Sequence, residues 1–128
     1  TERLLNDEAM IVQSAAADAL GLLADPAAVP SLTQGLFAAR NFRKGKSLWV
    51  REHIILALGR IQDKGALPAL MRTLEENNTV IQGHTLASLE SITRLRPKKQ
   101  DGTKLTREDA VVWWRHWWHK QNERTSAD

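Results

Sequence analysis

Apolar residues in this chain recur at helical spacing, and the spacing itself recurs. Val50, Ile54, Ala57, Leu58 and Ile61 follow the i, i+4, i+7, i+8 pattern of one helical face, and Ile55 and Leu56 widen the stripe. A helix this apolar needs neighbours on more than one side. At an offset of 38 residues, Val12 to Leu36 lies over Val50 to Leu74 without a gap, with nine of 25 positions identical. The identities are Val12/Val50, Ala19/Ala57, Leu20/Leu58, Gly21/Gly59, Asp25/Asp63, Ala28/Ala66, Pro30/Pro68, Leu32/Leu70 and Leu36/Leu74. They fall on apolar positions and on helix punctuation, which marks a structural repeat. A fainter third copy begins at Ile81, aligning His53 with His84, Leu58 with Leu89 and Ile61 with Ile92.

Each copy reads as two helices. Gly21 and Gly59 fall near the end of the first, where a glycine serves either a loosened last turn or the close approach of a neighbouring backbone. Asp25-Pro26 supplies an N-cap acceptor followed by a proline whose missing N–H costs nothing there. The second helix follows on Val29, Leu32 and Leu36, or on Leu67, Leu70 and Leu74, with Pro30 and Pro68 keeping its start irregular. The same register puts Leu5 where Leu36 and Leu74 stand. Residues 1–8 are therefore expected to be the tail of a preceding repeat, with further repeats upstream of Thr1.

These residues resemble the HEAT-repeat family, in the short bacterial form related to the repeats of phycobilisome-lyase-like proteins. The resemblance rests on Val50-Arg51, Ala57-Leu58-Gly59, Asp63, Ala66 and Leu67-Pro68-Ala69-Leu70 with their partners 38 residues earlier, and covers roughly residues 4–95. It implies an all-α protein: a right-handed α-α superhelix, or α-solenoid, of about three HEAT-like helix pairs plus a C-terminal capping helix. Family members usually carry Arg where this chain has Gln13 and Gln82, so a ladder of Arg–Asp pairs between repeats is expected only at Arg51. In such folds the second helices line a concave surface, which points to Ser31, Gln34, Met71, Arg72 and Glu75 as exposed partner contacts.

The chain is expected to form a single domain over 1–128. Repeat 1 spans 9–39, a basic loop 40–46, repeat 2 47–77 and the first helix of repeat 3 79–95. A loop over 96–105, a Trp-rich capping helix over 106–121 and a disordered tail over 122–128 complete it. The basic loop lengthens the connection between repeats 1 and 2 and carries Arg40, Phe42, Arg43, Lys44 and Lys46. It reads either as a contact to phosphate, an acidic protein surface or anionic lipid, or as a solvated loop whose Phe42 folds back onto the core. After Pro97 and Gly102, Thr106-Arg-Glu-Asp109 opens a helix as a capping-box variant. Trp113, Trp114, Trp117 and Trp118 then share one face of about 140°. A solenoid cannot leave its last apolar side open to water, so these indoles are expected to close it. A partner site is the alternative, since Trp is enriched among binding hot spots and can stack on bases.

Composition narrows the chemistry. Of 128 residues, 42% are apolar and 26% charged, a globular composition with no run approaching the ~20 apolar residues of a membrane span. The compartment stays open. The absence of Cys excludes disulfides, thiolate-bound metal and cysteine nucleophiles. Residues 1–39 carry one base against five acids, whereas 40–128 carry 17 against 10, which suits an acidic partner, protein or nucleic acid. There is no Gly-rich phosphate loop. His116 and His119 lack an accompanying carboxylate pattern and read as solvated or packed on indoles. His53 and His84 suggest a shared packing or surface role, and Glu75-Glu76 a solvated helix end. No residue reads as catalytic, and no metal or cofactor is expected. The function expected is a non-enzymatic scaffold that binds another protein through its concave face and basic loop. Its rivals are nucleic-acid binding, which needs the loop bases, Arg72 and the bases of 94–107 on one continuous face, and a bilin-lyase-like handling of a cofactor.

Overall fold

The computed structural model describes residues 2–127, with side chains described for 7–124. Six helices account for most of it: α1 (Glu2–Leu23), α2 (Val29–Phe37), α3 (Val50–Ile61), α4 (Leu67–Leu74), α5 (Thr79–Thr93) and α6 (Arg107–Ala127). The first helices of the repeats form one layer, α1 on α3 and α3 on α5. The second helices form the other, with α2 against α3 and α4 against α5, and α6 packs on α4 and α5. The repeated apolar positions become the core: Leu36, Val50, Ala57, Leu58, Leu70, Leu74 and Leu89 are fully buried.

The punctuation works as the sequence implies, with one addition. Asp25 and Asp63 accept backbone bonds from Ala27 and Gly65, opening a short 3₁₀ turn that leads into α2 and α4. The first helices stop on non-glycine residues in the left-handed region: Ala24 (φ 52°), Gln62 (φ 61°) and Arg94 (φ 65°). Gly21 and Gly59 therefore do not end the helices; they let backbones approach. A Cβ on Gly21 would lie 3.0 Å from Ala57 Cα, and one on Gly59 would lie 2.6 Å from Ser88 Oγ and 3.1 Å from Ser88 Cα. Ala57 and Ser88 hold the same repeat position, so both joints between first helices use one glycine-to-small-residue register.

Three segments depart from expectation. Residues 2–8 belong to the same continuous helix as the first repeat, because neither Pro nor Gly interrupts the chain before Gly21. The helix expected over 106–121 continues through Ala127, so 122–127 is helical: no Gly or Pro follows Gly102, and His119 pairs with Glu123 one turn on at 3.2 Å. Thr1 and Asp128 lie outside the described residues. The basic loop is ordered as a 3₁₀ turn (Ala39–Asn41) and a hairpin of β1 (Phe42–Arg43) and β2 (Lys46–Ser47), paired Phe42 to Ser47 and Arg43 to Lys46. Lys44 and Gly45 at its tip have φ of 54° and 77°, the left-handed pair that a two-residue hairpin turn requires.

Candidate partner-binding surfaces

The hairpin is anchored from beneath. Asn41 is fully buried and its amide donates to Gly35 O at 2.6 Å and Gln13 Oε1 at 3.3 Å, while Leu48 N returns to Asn41 O at 3.0 Å. Arg51, also fully buried, donates from Nε to Leu36 O at 2.7 Å and from Nη1 to Ser47 Oγ at 3.0 Å. Its guanidinium grips both oxygens of Glu76 at 2.7 Å and lies 4.2 Å over the Phe42 ring. A buried guanidinium is tolerable only when its donors are met, and here they tie β1, β2, the end of α2 and the end of α4 to one point. Phe42 is half-buried beneath the Arg51 guanidinium. Arg40, Arg43, Lys44 and Lys46 are exposed. Between hairpin and α1 lies a cleft of about 290 Å³ with Met10, Phe42 and Leu48 as apolar lining and Arg40 and Arg43 on its wall.

The second helices bound a shallow groove lined by Thr33, Gln34 and Phe37 of α2 and by Pro68, Ala69 and Arg72 of α4. The Arg72 guanidinium stacks 3.8 Å over the Phe37 ring, which fixes its position while leaving its N–H edges open. Ser31 is exposed on α2 but does not line this groove. Two expected contacts are corrected. Met71 is buried, 6% exposed, because α4 packs against both α5 and α6 and buries a broad face. Glu75 is exposed but engaged: Arg115 of α6 holds both its oxygens at 2.8 and 3.0 Å, and that pairing raises the guanidinium's pKa.

The four indoles lie where the periodicity puts them, with unequal burial. Trp114 is 1% exposed and Val111 is buried beside it, while Trp113, Trp117 and Trp118 are half-buried against the core. Trp114 meets Trp113 and Trp117 edge to face at centroid distances of 5.0 and 5.3 Å. Thr106 Oγ1 accepts from Asp109 N at 3.2 Å, the predicted cap. His53 and His84 share a role across joints: His53 Nδ1 lies 2.9 Å from Asp18 on α1 and His84 Nε2 lies 3.3 Å from Glu52 on α3. Among the described residues no cluster of three or more His, Asp or Glu could hold a metal ion, and no helix is long and apolar enough to cross a membrane.

The family model for HEAT repeats matches residues 1–90 of this stack of helix pairs. The chain belongs to the HEAT-repeat family. HEAT repeats generally serve as protein-interaction scaffolds and are typically non-catalytic. Comparison with curated proteins returned no match. The HEAT match ends within α5, so the loop of 94–106 and α6 lie beyond it.

Within this HEAT-repeat chain the expected Arg–Asp ladder takes another form. Arg51 pairs with Glu76 and not with an aspartate, and its Nε caps the carbonyl end of α2. Gln82, at the equivalent position of the third repeat, caps α4 likewise, Nε2 donating to Leu74 O at 3.0 Å. An amide suffices where no acid has to be met. The sequence reading missed Asn41 and treated Glu76 as solvated; Trp49, 41% exposed and edge-on to His53 at 5.6 Å, was also passed over. A lone Asn before an inserted hairpin is the one signal that pointed to the first.

Proposed function

We propose that this HEAT-repeat chain is a non-catalytic scaffold that holds another protein, one with an acidic surface, through the basic hairpin and the groove between α2 and α4. The observation that carries this reading is the hairpin: Arg43, Lys44 and Lys46 on it and Arg40 just before it are all exposed, and its base is clamped by the fully buried Asn41 and Arg51. Rigid presentation lowers the ordering cost that a flexible loop would incur on binding, and clustered positive charge speeds encounter with an acidic partner. The Arg40/Arg43 cleft beside Met10 and Phe42 suits a carboxylate accompanied by an apolar side chain.

Protein is favoured over nucleic acid by where the bases lie. The hairpin adjoins the start of α3 through Arg51, whereas Arg94, which bonds Gln62, opens the second basic stretch at the end of α3. The 12 residues of α3 separate these groups by roughly 18 Å, and the layer of first helices between them carries Asp18 and Glu52 as well as Arg60. The test is capture of binding proteins by the wild type and by a variant carrying Arg43→Glu, Lys44→Glu and Lys46→Glu. A protein retained by the first and lost by the second supports the reading; identical capture by both overturns it. Fluorescence anisotropy with duplex DNA at two salt concentrations runs alongside. Tight binding that falls steeply with salt and vanishes in the variant would transfer the hairpin to nucleic acid.

A further inference from the structure

The cleft between the hairpin and α1 is a product of the insertion. Val50 follows Leu36 by 14 residues, whereas Ile81 follows Leu74 by 7, and the extra chain is the hairpin that walls the cleft. Met10, Phe42 and Leu48 give it an apolar side, and Arg40, Arg43 and Gln13 a polar one. No carboxylate lines it, and among the described residues none pairs with Arg40 or Arg43. Gln13 Oε1 accepts from Arg40 Nε at 3.4 Å and from Asn41 Nδ2 at 3.3 Å, which leaves its Nε2 as a further donor. Uncompensated donors beside apolar side chains fit an anion joined to an apolar group.

The second repeat supplies its own carboxylate at this place and the first does not. At the offset of 38, Gln13 and Ala38 stand where Arg51 and Glu76 stand, and Arg51 holds both Glu76 oxygens at 2.7 Å. We infer that the cleft captures the free C-terminus of a partner protein, its carboxylate held by Arg40, Arg43 and the Gln13 amide and its apolar last side chain seated on Met10, Phe42 and Leu48. The inference rests on the scaffold reading above and narrows it to the end of a chain. In a last residue the carboxylate and the side chain leave one carbon, so both enter a cleft of about 290 Å³ together. An internal acidic residue carries its carboxylate out on its own side chain and needs a neighbour to supply the apolar half. Chain ends are a recurring object of recognition, and a hairpin clamped by Asn41 and Arg51 has little left to order on binding one.

Two methionines make the test direct: Met10 lines the cleft, and Met71 is buried elsewhere, on α4. With ¹³C-labelled methionine methyl groups, the first reports binding and the second reports the fold. The chain is titrated with N-acetylleucine, with N-acetylleucinamide, and with the α-amide of N-acetylaspartic acid, which stands for an internal acid. N-acetylleucine should move the Met10 signal saturably and leave Met71 in place. The other two should bind at least ~10-fold more weakly, since each lacks one half of the fit. Arg40→Gln with Arg43→Gln should weaken N-acetylleucine by the same factor, and Lys44→Gln with Lys46→Gln should leave it unchanged. A Met10 signal that N-acetylleucine does not move overturns the inference, as does an equal response to the acid and either amide, or a loss of binding in the Lys44/Lys46 variant. A failed titration beside hairpin-dependent protein capture strikes the chain end and leaves the scaffold. A positive titration beside capture indifferent to the hairpin strikes the scaffold and assigns the cleft to a small carboxylate ligand instead.

Discussion

Glu75 and Glu76 are neighbours in sequence, and each is held by both oxygens in an arginine fork, yet only one of the two arginines is buried. Arg51, on Glu76, has a fully buried side chain, while Arg115, on Glu75, is 55% exposed. Similar geometry should therefore carry different energies. Removing Glu76 strands a guanidinium out of water, so Glu76→Ala is expected to cost about 3 kcal/mol. Glu75→Ala breaks a solvent-screened pair and should cost under about 1 kcal/mol. Urea midpoints of the two variants check this, and equal losses would refute the burial argument. Arg51→Lys should not spare stability, since one ammonium cannot meet Leu36 O, Ser47 Oγ and both Glu76 oxygens.

The glycines divide by what a methyl group would meet. At Gly59 it meets Ser88, whose hydroxyl donates to Ile55 O at 2.8 Å and cannot swing away without losing that bond. Gly59→Ala should part α3 from α5 and cost about 1–3 kcal/mol. Gly83, inside α5, has nothing within 4 Å of its added Cβ. Gly83→Ala should stabilise by about 1 kcal/mol through helix propensity alone. Opposite signs in thermal melts of the two variants are the expected result.

Local periodicity made the helix pairs legible, because Leu32/Leu70 and Leu36/Leu74 repeat both the side chain and its burial. It left open whether Gly21 and Gly59 loosen a last turn or admit a neighbouring helix, since a helix's own pattern is silent about its neighbour's backbone. Met71 shows the limit for the candidate surface. The concave face that the HEAT resemblance implies makes it a surface position, but α4 is covered on two sides, by α5 and by α6, and the second cover comes from a segment outside the repeat. Glu76 was illegible for a related reason: its partner Arg51 lies 25 residues away, at the other end of the same repeat.

The left-handed ends of the first helices offer a gain. Ala24 adopts φ 52° with an exposed side chain, a conformation that strains an L-residue and suits glycine. Ala24→Gly should stabilise by about 0.5–1 kcal/mol after the added flexibility of the unfolded chain is counted. Gln62, at the equivalent place, should gain less or lose, because its amide bonds Ser91 O at 3.2 Å and accepts from Arg94 at 3.1 Å. Paired denaturant titrations distinguish the two sites.

The indole face supplies the most direct test of α6 as a cap. Trp114 is the deepest of the four, packed against the core and against two other indoles, so Trp114→Ala leaves a large cavity and should cost about 3–5 kcal/mol. Val112, on the same helix but 58% exposed, gives the control: Val112→Asp should fall within about 0.5 kcal/mol of wild type. Deleting residues 105–128 removes Val111 and every indole of the cluster at once, uncovering the sides of α4 and α5 that α6 packs on. Loss of cooperative melting, with aggregation, is the expected outcome. A truncated chain that melts as sharply and nearly as high as the full one would mean that α5 and α4 close the stack unaided, and would leave the tryptophans free for a partner.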